Sequence, residues 1–266
     1  MNASPPSTDL KTQTVRVAGK DIHFAEAGAG KPLVLLHGGG PGASGAPNYE
    51  RNIAELARHF RVIVPDMPGY GGSTKGLDRA DPFGDCAQAM LALLDHLKIE
   101  RTCVVGNSLG GACALRMALD RPERIAGLVL MGPGGVDTTR SLPTQGLKHL
   151  LDYYSGEGPT QEKLRVFIRD YLVYDGSQIP DNLIEARFQA SVDPAIIAKP
   201  PLVRPKGLPK FKLIDFTRGR RKSHLISGAQ KGARKPPEAA STWMSMSRPF
   251  CFCSLSSASC SGSGYS

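Results

Sequence analysis

The sequence lacks any apolar run that approaches the roughly 18 residues needed to cross a bilayer. It also lacks, at residues 1–7 (Met-Asn-Ala-Ser-Pro-Pro-Ser), the basic stretch followed by an apolar one that is typical of a secretory signal. Both absences argue against a membrane or exported protein. We therefore expect a cytoplasmic chain without a membrane partner.

Metal-binding cysteine spacing is missing too. The six cysteines stand at irregular intervals, and Cys251 and Cys253 have one residue between them, whereas zinc and redox pairs usually have two. The pattern predicts reduced thiols, with Cys103 and Cys113 packed as small apolar side chains. We expect no metal site.

Excess positive charge is almost absent from the first 215 residues. The net charge is +9, but residues 216–266 alone hold eight Lys or Arg and one Glu, which accounts for +7 of it. A basic surface of the kind that binds nucleic acid is therefore not expected on the rest of the chain. We predict no nucleic-acid partner.

The sequence contains only one weak match to the patterns of nucleotide-binding loops. The P-loop pattern G-x-x-x-x-G-K-[ST] does not occur. A dinucleotide pattern, G-x-G-x-x-G, can be drawn through three glycines from Gly40 to Gly45, with Asp66 as the ribose ligand. That pattern should open a helix directly after a strand, whereas prolines interrupt this segment and helical spacing begins only near Tyr49. The dinucleotide interpretation is the weaker one, and no cofactor is expected.

What the sequence does contain is a serine at a sharp turn. A β-branched, apolar run at 102–105 is followed by Gly-Asn-Ser-Leu-Gly at 106–110 and then by helical spacing at 111–119. Strand, turn and helix together form the setting in which a serine hydroxyl is lifted above the sheet edge as a nucleophile. Glycines two residues before and after Ser108 are required because a Cβ there would collide with neighbouring backbone.

A second glycine cluster supports the first. The apolar run at 32–36 is typical of a strand buried on both faces of a parallel sheet, and it leads into His-Gly-Gly-Gly-Pro-Gly at 37–42. Such a loop can supply one backbone N–H of an oxyanion hole, and Leu109 would supply the other. Each donor of this kind contributes about 3 kcal/mol to transition-state stabilisation.

Strands and helices alternate over residues 1–135, which predicts an α/β fold with a mostly parallel, doubly wound sheet. The predicted elements are a hairpin at 15–25, strands at 32–36, 61–65, 102–105 and 124–131, and helices at 49–60, 85–98 and 111–119.

Residues 136–205 change to a polar, helical pattern and are predicted to form a cap inserted over the sheet edge. A cap excludes water and contacts substrate, although one that only shields apolar surface is an equal alternative for any single residue in it. Short helices are predicted at 146–154, 160–174 and 182–190, followed by a proline-rich connection at 194–209.

Residues 14–217 resemble the meta-cleavage product hydrolases, a branch of the α/β-hydrolase superfamily that splits carbon–carbon bonds in ring-fission products of aromatic compounds. The motifs that carry the resemblance are His-Gly-Gly-Gly-Pro-Gly at 37–42, Asn-Tyr-x-Arg-Asn at 48–52, Asp-x-Pro-Gly-Tyr-Gly at 66–71, Gly-Asn-Ser-Leu-Gly-Gly at 106–111 and Leu-Met-Gly-Pro-Gly-Gly at 130–135. The first motif alone is shared with esterases, whereas the set is far more selective.

The resemblance implies a hydrolase of 2-hydroxy-6-oxohexa-2,4-dienoate-type substrates. Ser108 would be the nucleophile, and Gly39 and Leu109 would contribute the oxyanion N–H groups. After ketonisation of the dienol, hydrolysis would give 2-hydroxypenta-2,4-dienoate and a carboxylic acid without metal or organic cofactor. If the chain folds, the resemblance also implies a homo-oligomer.

The same resemblance assigns the substrate-binding residues. Asn48 and Asn107 would hydrogen-bond the polar end of the substrate, and Arg187 would hold its carboxylate, for which a planar fork is well suited. The alternative for Arg187 is a solvated residue on a cap helix. His37 and Asp66 are expected to be structural.

The C-terminal part departs from the family from about residue 218. A serine nucleophile needs an acid and a histidine on later strand ends, and residues 206–266 do not supply them in the family pattern. His224 follows Asp215 by only nine residues, too few for successive strand ends separated by a helix. We interpret the segment as aberrant, the product of a shifted reading frame; a natural disordered tail and a basic tail for an anionic surface are the alternatives.

Two classes of function follow from these observations. The first is a carbon–carbon bond hydrolase, with a carboxylic ester hydrolase as the alternative within the enzyme class. The second is a catalytically defective or non-catalytic member of the family that binds ligand without turnover.

Overall fold

A single six-stranded sheet organises the computed structural model, which describes residues 9–135 and 144–204. The strands are β1 Lys11–Val17, β2 Lys20–Ala27, β3 Lys31–Leu36, β4 Phe60–Pro65, β5 Thr102–Asn107 and β6 Ile125–Met131. Their order is β1-β2-β4-β3-β5-β6; β2 pairs antiparallel with β1 and β4, and the remaining pairs are parallel. The mostly parallel sheet and the opening hairpin are confirmed.

Seven α-helices accompany the sheet in the described residues. They are α1 Gly45–Ala57, α2 Pro82–His96, α3 Leu109–Asp120, α4 Gln145–Asp152, α5 Gln161–Val166, α6 Asp181–Ser191 and α7 Pro194–Ala198. Short 3₁₀ turns cover Pro122–Arg124 and Gly176–Gln178, and a π-helical turn, Phe167–Leu172, continues α5.

The surroundings of the central strand β3 explain why its sequence is a continuous apolar run. Leu33 and Leu35 pack in one apolar cluster with residues of α1, whereas Val34 and Leu36 pack in the other with residues of α2 and α3. Because both faces of a parallel strand are covered by helices, a continuous apolar run is required. The C-terminal end of β3 is thereby held beside that of β5, with Leu36 opposite Gly106.

Two predictions about helices were wrong in detail. The first helix begins at Gly45, not near Tyr49, because Pro47 falls in its first turn, where a missing N–H costs nothing. The proline-rich connection contains α7, which begins at Pro194 and is capped by the Asp193 carboxylate accepting from the Ala195 N–H at 2.8 Å.

Helices α4 to α6 have an apolar core of their own. It contains Tyr153, the π-helical residues Phe167 and Ile168, and Ile184 of α6. The Tyr153 hydroxyl lies 2.7 Å from Ser191 Oγ, so the buried phenol is satisfied inside this layer. This layer of helices contacts the loop that follows β3.

Some sequence predictions concern residues outside the described ranges, and others concern membrane helices and metal sites. The predicted C-terminal segment 206–266, including Asp215 and His224, lies outside the described residues. Within the described ranges, no helix is long and apolar enough to span a bilayer, and no group of three or more potential metal ligands occurs.

Candidate active site

The β5–α3 junction places Ser108 in a conformation that side chains rarely adopt, with φ +51° and ψ −110°. A left-handed φ of this kind costs of order 1–3 kcal/mol and persists only where neighbours enforce it. The neighbours here come from the last residue of β6 and from the segment that follows it. The Ser108 N–H donates to Met131 O and the Ser108 carbonyl accepts from the Gly134 N–H, both at 2.9 Å.

The glycines around Ser108 are required for close backbone approach, as predicted. A Cβ at Gly106 would lie 2.5 Å from the carbonyl oxygen of Gly110. One at Gly110 would lie 2.5 Å from the carbonyl carbon of Leu36 and 2.7 Å from the carbonyl oxygen of His37. The turn at residues 106–110, which we call the elbow, can therefore lie against the end of β3 only without these side-chain atoms.

Residues 37–42, which we call the glycine loop, run beside the elbow. The Gly110 N–H donates to His37 O at 3.1 Å and ties the two segments together. Beyond that bond, the four consecutive carbonyls of residues 38–41 all accept hydrogen bonds. The donors are, in order, His37 Nδ1 (2.8 Å), Tyr70 Oη (3.0 Å), the Ala43 N–H (3.0 Å) and Arg187 Nη2 (3.1 Å).

The predicted oxyanion donors are unoccupied within the described part of the chain. Neither the Gly39 N–H nor the Leu109 N–H donates to any described residue. Leu109 is the first residue of α3, so its N–H also has the positive end of the helix dipole behind it. A pair of free backbone N–H groups can stabilise an oxyanion where both are aimed at it.

His37 is a structural residue, as expected. Its ring is fully buried, and Nε2 accepts from the Met67 N–H at 2.9 Å, so the proton resides on Nδ1 and is donated to Gly38 O. Burial lowers the pKa of His37, which favours this neutral form. With both nitrogens engaged, His37 is not a base for Ser108.

Asp66 is structural as well. Its carboxylate accepts from the Gly45 N–H at 2.6 Å and from the Gly72 N–H at 2.8 Å, which joins the start of α1 to the loop after β4. Because both oxygens are engaged by backbone, Asp66 is not placed as a ribose ligand. Helix α1 also does not open directly after β3, which ends at Leu36, so the dinucleotide interpretation is wrong.

Arg187 projects from α6 into the glycine loop. Its Nε and Nη2 donate to Pro41 O at 3.2 and 3.1 Å, and Nη2 lies 3.0 Å from where a Cβ on Gly40 would be. Burial lowers its pKa, and no carboxylate among the described residues is paired with it. A fully solvated cap residue would not have its pKa lowered by burial, and apart from the two bonds to Pro41 O the guanidinium donates to no residue of the described ranges.

The two asparagines are near the loop without partners in the described region. Asn107 Nδ2 lies 3.2 Å from where a Cβ on Gly38 would be, and Asn48, half-buried in the first turn of α1, makes no side-chain hydrogen bond to a described residue. Tyr49 beside it donates to Leu36 O at 2.8 Å, so this end of α1 is fixed to β3. Both amides are available to a ligand.

Sequence reasoning missed the apolar side chains that close the site. Leu202 Cδ1 lies 2.7 Å, and Leu109 Cδ2 3.1 Å, from where a Cβ on Gly39 would be, while Phe167 of the π-helical turn lies near Gly40. None of these contacts has a local sequence signal, since each joins segments far apart in the chain. A cavity of about 250 Å³ is lined by residues that include Gly42 of the loop, Tyr70 and Ile196 of α7.

Comparison with known proteins gives the family. The family model for the α/β hydrolase fold matches residues 31–163. The 2-hydroxy-6-oxo-6-phenylhexa-2,4-dienoate hydrolase of Rhodococcus sp. strain RHA1 superposes with a TM-score of 0.65 and 31% identity, covering 71% of this chain and 69% of that one. The chain belongs to the α/β-hydrolase family, among its meta-cleavage product hydrolases. The fold expected from the motifs of this hydrolase is confirmed.

Curated relatives agree with that placement. A 2-hydroxy-6-oxo-6-phenylhexa-2,4-dienoate hydrolase of Comamonas testosteroni is 41% identical over 172 residues, 64% of this chain and 59% of that protein. A 2-hydroxymuconate semialdehyde hydrolase of Pseudomonas sp. (strain CF600) is 37% identical over 195 residues, 73% of this chain and 65% of that protein. The chain therefore spans about three fifths of the length of the curated relatives it matches.

Proposed function

We propose that this protein is a cytoplasmic serine-nucleophile hydrolase that cleaves a carbon–carbon bond in 2-hydroxy-6-oxohexa-2,4-dienoate-type products of aromatic ring fission, without metal or organic cofactor. Residues 1–135 serve as the catalytic core and 136–205 as the cap, and the folded chain forms a homo-oligomer. The observation that carries the proposal is the guanidinium of half-buried Arg187, which is desolvated against the glycine loop without a carboxylate partner in the described residues.

The substrate would supply a carboxylate and hydrogen-bond acceptors for the donors of this site. Its carboxylate pairs with Arg187, because a buried cation gains most from an anion delivered by the ligand. Its dienol oxygen accepts from the side chains of Asn48 and Asn107. The distal ketone then lies at Ser108, with its oxygen at the N–H groups of Gly39 and Leu109.

The reaction follows from this pose in two steps. Ketonisation moves the dienol proton to carbon 5, with the negative charge of the substrate held by Arg187. Ser108 Oγ then adds to carbon 6, and the oxyanion is stabilised by the two backbone N–H groups. When the carbon 5–carbon 6 bond breaks, its electron pair passes into the departing dienolate, whose oxygen takes up the proton lost by the serine to give 2-hydroxypenta-2,4-dienoate. Water hydrolyses the acyl-serine to the carboxylic acid.

A non-catalytic member of the family is the second candidate, and one observation favours it. Ser108 Oγ has no hydrogen-bond partner among residues 9–135 and 144–204, and the one histidine near it, His37, is engaged elsewhere. A general base is needed to take the serine proton. A chain without one binds the dienoate and does not turn it over.

The deciding experiment measures loss of dienolate absorbance with the full chain and 2-hydroxy-6-oxo-6-phenylhexa-2,4-dienoate. Ser108→Ala should abolish turnover. Arg187→Gln should raise KM by roughly 10- to 100-fold, the value of a hydrogen-bonded buried charge pair. Arg165→Gln is the matched control, since Arg165 is an exposed cap arginine paired with Glu162.

Each alternative outcome assigns a different function. Tight dienoate binding without turnover by the wild-type chain supports the non-catalytic member. Cleavage of nitrophenyl esters that is insensitive to Arg187→Gln, without dienoate turnover, supports the ester hydrolase. Dienoate turnover with equal KM in the Arg187 and Arg165 variants refutes the carboxylate site.

A further inference from the structure

The glycine loop is held from one side by two buried side chains. The His37 Nδ1–H donates to Gly38 O, and the Tyr70 hydroxyl donates to Gly39 O at 3.0 Å. In a trans peptide the C=O of one residue and the N–H of the next point in opposite directions. The N–H groups of Gly39 and Gly40 therefore point away from His37 and Tyr70.

Both peptide planes that flank Gly39 are fixed by these bonds. His37 orients the plane that carries the Gly39 N–H, and Tyr70 orients the plane on its other side. Glycine has wide access to φ and ψ, so a plane without such an anchor is free to rotate. The orientation of the Gly39 N–H thus depends on two side-chain hydrogen bonds, one from His37 at the start of the loop and one from Tyr70 outside it.

Tyr70 is itself firmly placed. The residue is 2% exposed, and its ring meets that of His37 edge-on with centroids 5.2 Å apart. Its segment is closed by the Tyr70 N–H donating to Met67 O and by Ser73 Oγ donating to Asp66 O at 2.6 Å. Burial raises the pKa of Tyr70 well above its ordinary value, which favours the protonated phenol that donates to Gly39 O.

We propose that Tyr70 is a positioning residue of the oxyanion hole, whose hydroxyl holds the 39–40 peptide plane so that the Gly39 N–H keeps its aim at the reacting carbonyl oxygen. The inference rests on the proposed function for its catalytic readout. Tyr70 does not touch substrate, and its effect reaches the reaction through the loop. Preorganised donors of this kind act mainly on the transition state, so their misalignment lowers kcat more than it raises KM.

The test compares two tyrosine variants that lose equivalent hydrogen bonds. Tyr70→Phe keeps the ring and removes the donor to Gly39 O. Tyr153→Phe is the matched control, because Tyr153 is 1% exposed and its hydroxyl bonds Ser191 Oγ within the cap. Tyr70→Phe should lower kcat for the dienoate about tenfold with KM unchanged, a smaller loss than deletion of a donor itself. Tyr153→Phe should leave both constants unchanged.

A second readout does not depend on turnover. Phenylboronic acid forms a tetrahedral adduct on a serine oxygen and places a negatively charged oxygen in the oxyanion hole. Its dissociation constant, measured by boron NMR with the full chain, should rise about tenfold in Tyr70→Phe and stay unchanged in Tyr153→Phe. If the wild-type chain binds the boronate but turns over no dienoate, the proposed function fails while this comparison still decides the role of Tyr70.

Three results would overturn the inference. The first is equal kcat and equal boronate affinity in Tyr70→Phe and the wild type. The second is an equal loss in both tyrosine variants, which would reveal a purely structural effect. The third is a wild-type chain that binds no boronate, which would mean that the loop forms no oxyanion hole.

Discussion

Substitution of Gly110 tests the geometry of the elbow directly. In Gly110→Ala the new Cβ would lie 2.5 Å from the carbonyl carbon of Leu36, 2.7 Å from His37 O and closer still to Leu36 O. Since carbon atoms pack at about 3.5 Å or more, α3 would have to move away from β3 by roughly 1 Å. That movement would break the Gly110 N–H bond to His37 O.

The expected loss of stability is the sum of two effects. Overpacking against a rigid backbone costs about 1–3 kcal/mol, and the broken hydrogen bond about 1 kcal/mol. We therefore expect the free energy of unfolding to fall by about 3 kcal/mol, a large share of the 5–15 kcal/mol typical of a folded protein. The measurement is urea-induced unfolding of the full chain followed by circular dichroism.

Gly127→Ala in β6 is the control for this substitution. The nearest atom to a Cβ there is Cys103 Sγ at 3.4 Å, an ordinary contact. Alanine should be neutral at this position or stabilise by about 0.5 kcal/mol, since glycine weakens a strand interior. The reasoning is refuted if Gly110→Ala unfolds within about 0.5 kcal/mol of Gly127→Ala, a difference no larger than most surface substitutions produce.

Two further predictions concern the buried polar groups beside the site. Asp66→Ala removes the acceptor of two backbone N–H bonds and should lower the free energy of unfolding by about 3 kcal/mol in the same urea titration. Glu55→Ala is the control, because it breaks only an exposed ion pair and should change that free energy by less than about 0.5 kcal/mol. The folded-state pKa of His37 is lowered, so the stability that neutral His37 provides is fully present above the ordinary histidine pKa of about 6.5 and is lost progressively as pH falls from there to the lower folded-state pKa. Between pH 7 and pH 5, the urea midpoint should therefore drop less in His37→Gln than in the wild type. His59 is exposed, so the midpoint of His59→Gln should drop as much as that of the wild type. Identical drops in all three proteins would contradict this assignment.

The elements with strong local patterns were predictable from the sequence. Apolar runs at 32–36 and 102–105 predicted strands because both faces are buried, and the glycines around Ser108 predicted the elbow because only they allow its backbone contacts. The beginning of α1 was misplaced because Pro47 was interpreted as an interruption, although proline fits the first turn of a helix. Local residue patterns therefore account for the strands of the sheet and for the turn at Ser108.

The environment of the site was not predictable in the same way. Arg187 fits either a solvated helix face or a buried anion site, and only its contact with Pro41 distinguishes them. Tyr70 belongs to a quoted motif, but its hydroxyl has a role only because the loop after β4 packs beneath Gly39. These assignments depend on contacts between segments distant in sequence, which spacing and composition do not encode.

The bond from Arg187 to Pro41 joins residues 146 positions apart, whereas the elbow is built from consecutive residues of β5 and α3. Closing a long loop costs entropy that a local turn does not, and distant contacts are lost first when part of a protein opens. The contact between Arg187 and the glycine loop is thus expected to be lost at a lower temperature than the turn at Ser108. A molecule in which α6 has loosened retains the strained Ser108 but has lost the guanidinium from its place beside Pro41.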